Sequence, residues 1–529
     1  MNAPGPLAVE SELGRRRWRV FSVTAVGMFM GTLDATIVAV ALPVLSPALK
    51  MSYSEALWVQ AVYLLTMCVF LIPVGRVADK RGLLRFFLAG VVMFGVFSLA
   101  CSFATTGAFL IIARCFQGAG AAFMSATSPA LVTSVFPPQE RGRGLGLNTM
   151  AGYLGLMAGP PIGGLIVSHT SWHWIFLINV PIAVIVFTNG WFLLASEWRD
   201  REGARQRAAA PQTAGGDLAA PKASGRPVSG RPAGPAAGRL DWPGTALLAL
   251  TLICLLVPLI FIPFWGWTSG RTIGLLVAFL VFLAAFTLVE NRVEDPLLEL
   301  DLVRRNRVFA AGNFAALLNY AAAYGITTLT AVFLEVVAGF SAQHAGLVLL
   351  TQPVFMTGLS AVFGRLSDRI GSRMLATCGM LLVAAGTAQL GTLPSSPPTW
   401  RLIVALGTAG VGMAAFSSPN TSSIMGSVRR DQLSLASGFV GTMRTAGQGI
   451  SVALLGAIAA SGLGPTGGRV LFLGEKASRA AAATFSDGYR TAMFVAAGIA
   501  AVGAIVSLVR GPRPNQDALP GDGPPPPTH

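Results

Sequence analysis

The chain has 529 residues, of which 53% are hydrophobic and only 12% charged, with a formal net charge of +15. That charged share is about half that of an ordinary soluble domain, and a soluble core could not absorb so much apolar residue, whereas a bilayer can. The basic excess lies between apolar stretches and not on one polar face, which argues against a nucleic-acid partner; the five cysteines (Cys68, Cys101, Cys115, Cys254 and Cys378) sit in or beside apolar stretches without ligand spacing, as packing residues.

A membrane-spanning helix needs about 20 apolar residues. By that measure the chain predicts about fourteen spans, in order Val20–Val44, Ala56–Val77, Leu83–Phe103, Ala108–Ser134, Leu145–Ser168, Trp174–Ala195, Pro243–Pro263, Ile273–Val289, Val308–Val337, Ala345–Phe363, Met374–Leu393, Leu402–Ser423, Leu433–Ala460 and Tyr489–Val509. The stretch around Pro258 and Pro263 carries the weakest pattern. The first stretch predicts no cleaved signal peptide, being too long, interrupted by Asp34 and followed directly by more spans. Glu197–Leu240 is rich in Ala, Pro, Gly and Arg, cannot offset its ordering entropy by burial, and predicts a disordered linker; the tail 511–529 reads the same way. The expected fold is an all-α integral membrane protein: a basic segment 1–19, a six-helix bundle 20–196, the linker 197–240, an inserted helix pair 241–290 and a second six-helix bundle 291–510.

Lys and Arg collect at alternate gaps: Arg15 to Arg17, Lys80 and Arg81, Arg141 and Arg143, Arg304 to Arg307, Arg365 to Arg373, and Arg429 with Arg430. The intervening gaps hold one basic residue or none, apart from the longer Gly462–Asp487. The positive-inside rule then places both termini in the cytoplasm.

Asp34 falls inside the first span, about ten residues or 15 Å from the outer end. A carboxylate there costs about 2.5–3.5 kcal/mol on insertion scales and is expected to face a cavity, a partner or a proton. Arg114 lies about six residues below the outer surface of the fourth span, at similar depth. It is open to two readings: a partner for Asp34, or a side chain reaching the outer headgroups. In the fifth span, Gly155, Gly159, Gly163 and Gly164 clear one helix face for close approach to a neighbour, and Pro160 with Pro161 deletes amide donors. His173, between Trp172 and Trp174, reads as an interfacial aromatic-belt residue. Glu335 and Arg444 are further charges within spans, each a candidate for substrate binding or a second proton site.

One loop occurs twice. Gly75-Arg76-Val77-Ala78-Asp79-Lys80-Arg81-Gly82 returns as Gly364-Arg365-Leu366-Ser367-Asp368-Arg369-Ile370-Gly371. The glycines allow a tight turn, and each carboxylate can dock on a helix N-terminus or an Arg of the facing bundle. Such contacts exist only while that side is closed, so they bias the conformational equilibrium. Glu140 and Arg141 are candidate members of the same network.

The repeated loop resembles the signature after the second helix of the major facilitator superfamily. Leu33-Asp34-Ala35-Thr36-Ile37-Val38-Ala39-Val40-Ala41-Leu42-Pro43 is similar to the first-helix signature of its fourteen-helix drug:proton antiporter branch, and Gly155–Gly164 to the antiporter motif. Ser171–Pro181 matches that branch too, with His173 where the branch usually has Arg. The resemblance implies that helices one and four adjoin, that Asp34 and Arg114 couple protons, and that small amphipathic molecules leave the cell in exchange for protons. A bacterial plasma membrane is the expected location, no cofactor is expected, and the oligomeric state stays open. No Gly-Lys-Ser/Thr phosphate loop supports ATP-driven transport, and four scattered histidines offer no metal cluster. Two other readings share the pattern: a narrow natural-product exporter or an uptake system of the same fold, and a membrane scaffold that does not transport.

Overall fold

In hydrocarbon, backbone N–H and C=O groups have no water to bond, so each apolar stretch must satisfy them internally as a helix. The computed structural model describes residues 6–51, 53–209, 242–266, 268–293, 300–460 and 479–509, and its regular structure among the described residues is helical. The first bundle comprises α1 (Pro6–Ala48), α2 (Tyr53–Arg81), α3 (Leu83–Ser102), α4 (Gly107–Val135), α5 (Arg141–His169) and α6 (Asn179–Ala209). A pair follows, α7 (Trp242–Trp265) and α8 (Gly270–Glu290). The second bundle comprises α9 (Arg307–Val332), α10 (Thr351–Ile370), α11 (Ser372–Gly391), α12 (Thr399–Gly426), α13 (Leu433–Ala460) and α14 (Arg479–Val509).

Among the described residues, 12 helices are long and apolar enough to cross a membrane. The other two expected spans are α7, with a shorter apolar run over Pro243–Leu259, and α13, whose 28 residues include many Gly, Ser and Thr as well as Arg444. Apolar side chains such as Phe103, Leu165, Leu280, Ile505 and Val509 stand exposed on the periphery, facing where lipid would be.

Three boundaries differ from the expectation. α1 begins at Pro6, so Arg15 to Arg17 are helical. α6 runs on to Ala209, so the predicted disordered linker starts with helix; Ala, Glu, Gln and Arg are good helix formers. α14 begins at Arg479, well before Tyr489. The rest of the linker, most of the Gly462–Asp487 loop and the tail lie outside the described residues.

The duplicated loop builds the same turn twice. Gly82, between α2 and α3, has φ +112°, and Gly371, between α10 and α11, has φ +89°. With ψ of 122° and 151° these are conformations that only glycine adopts cheaply. In each half this lets a long helix reverse within one residue, keeping the preceding Asp at the helix end.

The halves meet at the end that carries these two turns, along α2 with α13 and α5 with α10. Bare glycine surface allows the approach: a Cβ on Gly75 would lie 2.5 Å from the Ser434 carbonyl oxygen, and one on Gly364 would overlap the Gly142 carbonyl. The Ser360 hydroxyl donates to the Gly146 carbonyl at 3.2 Å, and the Ser434 hydroxyl to the Ala126 carbonyl at 3.1 Å. The inserted pair covers the α2/α13 seam. Leu248, Leu252, Leu256 and Phe261 of α7 pack with Leu65, Cys68 and Ile72 of α2 and with Leu435 and Ala446 of α13.

Candidate functional site

Asp34 and Arg114 are both fully buried, on α1 and α4, and form an ion pair through Arg114 Nη1 and Asp34 Oδ2. Close packing of α1 on α5 holds the carboxylate in place. A Cβ on Gly155 would overlap Thr32 and the Phe29 carbonyl, one on Gly159 would overlap Thr36, and one on Gly163 would press on Ile37. Thr32 also donates its hydroxyl to the Gly152 carbonyl at 2.8 Å. Gly164 meets nothing on its open side, and Pro160 and Pro161 are exposed within an unbroken helix. Three of the four glycines therefore serve the α1 contact.

The ion pair sits in a polar nest. Asp34 Oδ1 accepts from Gln117 Nε2 at 3.0 Å and from Asn179 Nδ2 at 2.9 Å. The Ser98 hydroxyl oxygen accepts from the same two amides, at 3.0 and 3.1 Å, and donates to the Phe176 carbonyl at 3.1 Å. Arg114 Nη1 also donates to Gln117 Oε1 at 2.8 Å, Arg114 Nε donates to the Val59 carbonyl at 3.3 Å, and the Tyr63 ring lies 4.2 Å from the guanidinium carbon. Arg114 Nη2 and Asn179 Oδ1 are buried without a hydrogen-bond partner. Of the two readings left open for Arg114, the structure has the partner for Asp34; no reach to the headgroups remains. Removing one charge of such a pair strands the other at a cost of about 3–5 kcal/mol. Any cycle that discharges Asp34 must therefore rearrange the group around Arg114.

Gln117, Asn179 and Ser98 are absent from the sequence-based candidates. Each gives a faint signal, a polar side chain inside an apolar run, and Gln117 is one helical turn from Arg114. The convergence of Gln117 and Asn179 on one carboxylate, with Ser98 behind both amides, needs α3, α4 and α6 to be placed.

The repeated loop forms a two-part clasp between the halves. Asp79 accepts from the backbone N–H groups of Ser434 and Leu435 at the start of α13, both at 2.8 Å. Asp368 accepts from those of Gly142 and Arg143 at the start of α5, at 2.9 and 3.0 Å. A helix start offers free N–H groups and the positive end of its dipole, which suits a carboxylate. Of the two docking modes open from sequence, the helix N-terminus is the one seen. Arg81 and Arg369 are exposed and take no part. Glu140 pairs instead with Arg17, at 2.9 Å.

The remaining candidates are scattered. Glu335 is exposed in the π-helical turn Phe333–Val337. His173 is half-buried and stacks on Trp172. Arg444 is half-buried on α13, and no ion pair joins it to Glu335. Its charge reaches Tyr63 on α2 and Tyr153 on α5, and the Tyr153 hydroxyl lies beside Tyr320 and Ser417.

The family model described as Major Facilitator Superfamily matches residues 24–296 and 312–528. The chain is 31% identical over 455 residues to the multidrug resistance protein Stp of Mycobacterium tuberculosis, covering 86% of this chain and 78% of that protein. It is 29% identical over 454 residues to the tetracenomycin C resistance and export protein of Streptomyces glaucescens, covering 86% and 78%. It is 28% identical over 433 residues to the riboflavin transporter RibZ of Clostridioides difficile, covering 81% and 85%. With the four motifs and the all-helical architecture, these matches show that the chain belongs to the major facilitator superfamily, in its fourteen-helix drug:proton antiporter branch.

Proposed function

We propose that this transporter exports amphipathic organic molecules across the plasma membrane in exchange for protons, with both termini in the cytoplasm. The observation that carries the reading is the Asp34–Arg114 pair. It is a titratable carboxylate fully withdrawn from solvent, in a cluster of five side chains, its own included, from four helices of one half. A permanently structural polar cluster of that size is expensive in a membrane interior, whereas a proton carrier needs one. Asp34 exchanges its proton when the half-bundles rock, because both charges are sealed in the conformation seen here. The clasp supports the same cycle: Asp79 and Asp368 hold the halves together at one end, which the Lys/Arg distribution identifies as cytoplasmic, so substrate leaves outward while the clasp is shut. Gly155, Gly159 and Gly163 join α1 to α5, so that movement of one carries the other.

The relatives named for multidrug resistance and for tetracenomycin export favour export of amphipathic molecules, and the riboflavin relative favours the second reading, a transporter of a single compound. Proteoliposomes with an imposed pH gradient separate these. Wild type is expected to move several unrelated amphipathic dyes uphill with opposite proton movement. Asp34→Asn is expected to lose uphill movement completely while still binding dye, and Asp34→Glu to keep part of it. Uphill, proton-linked export by Asp34→Asn would falsify the assignment of Asp34. Movement of one compound only would favour the narrow reading.

A further inference from the structure

α13 carries a cation without an acid to match it. Arg444 lies eleven residues beyond Leu433, about 16 Å along the helix. One and nearly two turns earlier, Gly441 and Gly438 are pressed against Leu71 of α2, where a Cβ on Gly441 would come within 2.9 Å of the leucine side chain. Arg444 therefore stands at the first turn beyond the closed seam. It is half-buried and has no carboxylate partner among the described residues. The acids of the spans are engaged or placed elsewhere. Asp34 is committed to Arg114, Gln117 and Asn179, Glu290 is buried in the inserted pair, and Glu335 is exposed in the π-helical turn after α9.

A second orphan lies beside the first. The Tyr153 side chain, on a residue only 7% exposed, points its hydroxyl into the same region without a well-formed hydrogen bond. Tyr153 lies in the packed cluster that Tyr320 of α9 rests against, and Gly447, one turn beyond Arg444 on α13, meets Tyr320, where an added Cβ would lie 3.0 Å from the tyrosine Cβ. Ser417 of α12 stands beside the same hydroxyl, within reach of the charge of Arg444. A stranded buried hydroxyl costs about as much as a lost hydrogen bond, and an unneutralised guanidinium within a span costs more. One ligand relieves both: an aromatic molecule with an anionic oxygen, which accepts from Arg444 and Tyr153 while its ring lies against tyrosine.

We propose, resting on the exporter reading above, that the substrates are aromatic organic anions (carboxylates, phenolates or enolates) bound by Arg444 with Tyr153, Tyr320 and Ser417, and that permanent cations are rejected. The charge balance has a consequence. An anion leaving as protons enter moves positive charge inward at any proton stoichiometry, so transport is electrogenic. A univalent cation leaving for one proton would be electroneutral.

The test uses two xanthene dyes of similar size and opposite charge, fluorescein and rhodamine 6G, with the full-length protein at fixed neutral pH. Wild type is expected to bind fluorescein at least about tenfold more tightly, the value of one charge-assisted hydrogen-bonded contact. Arg444→Gln should lose about that factor, Arg444→Lys should keep most of it, and Tyr153→Phe should lose a smaller factor. The wild-type preference requires no variant to fold. Equal or tighter binding of rhodamine 6G, unchanged fluorescein binding in Arg444→Gln, or binding of neither dye overturns the inference. In proteoliposomes, rhodamine 6G export with proton exchange and no fluorescein movement would sink the substrate class and leave the exporter standing. Arg444-dependent fluorescein binding without proton movement would do the reverse. Fluorescein export accelerated by an inside-negative potential supports both.

Discussion

In the N-terminal half, Asp34 and Arg114 are fully buried and draw every partner from their own half. The C-terminal half fills its interior with Phe333, Phe485, Tyr489 and a run of alanines from α9, α11 and α14, and no charged side chain of that bundle is fully buried among the described residues. Its polar contacts there are neutral hydrogen bonds, among them Gly325 N–H donating to the Ser451 hydroxyl at 2.8 Å and one between the Thr330 and Tyr489 hydroxyls at 3.0 Å, backed by the Phe333 ring stacked 4.5 Å from Tyr489. Yet the two halves carry the same turn and the same carboxylate-to-helix clasp, within about 0.2 Å of each other in hydrogen-bond length. Closing one gate symmetrically needs a copy of the clasp on each half. Each buried charge carries a desolvation cost, and the proton exchange proposed for Asp34 would account for an ion pair sealed in one half and not the other.

The strongest challenge to that contrast is Asn179→Leu. It removes one of two amides from Asp34 Oδ1 and strands part of the nest, which is expected to cost about 1–3 kcal/mol and to impair proton exchange. Thermal unfolding and substrate-driven proton movement measure the two effects; an unaltered proton flux would make the nest merely structural. Next comes the α1/α5 seam. Gly159→Ala places a methyl group against Thr36 and should lower stability by about 1–3 kcal/mol, while Gly164→Ala, with open space around it, should be near neutral. Equal losses in the two variants would mean that the seam is not held as described.

Asp79→Asn and Asp368→Asn follow, each removing a charge from a helix start, an effect of up to about 2 kcal/mol. Both should shift the population towards an opened clasp by similar amounts, seen as faster labelling of a cysteine placed at Ser360. A shift in only one would show that the halves do not share the gate equally. Tyr489→Phe is the smallest change, about 1 kcal/mol for one neutral hydrogen bond. It should lower the unfolding temperature slightly and leave coupling untouched, whereas loss of coupling would move proton chemistry into the second half.

Membrane insertion, the duplication, the glycine turns and the two buried charges are legible in the sequence, because each depends on local composition or on a residue type that a bilayer penalises. The inserted pair is legible as two apolar runs, though not its place over the α2/α13 seam, which is set by Leu248, Leu256 and Phe261 meeting α2 and α13. The same limit separates Asp79 from its partners. Its need for hydrogen-bond donors is local, but which donors it finds, the backbone of α13 over three hundred residues away and not an arginine, depends on how the halves dock. Arg17 for Glu140, Gln117 and Asn179 for Asp34, and Ser98 for those two amides were settled in the same way. Helix existence comes from short-range hydrogen bonding and solvation along the chain; side-chain partnership comes from helix crossings between segments far apart in it. That difference in range is why the sequence alone determined the spans and the charged positions, and only the tertiary structure decided what each charge touches.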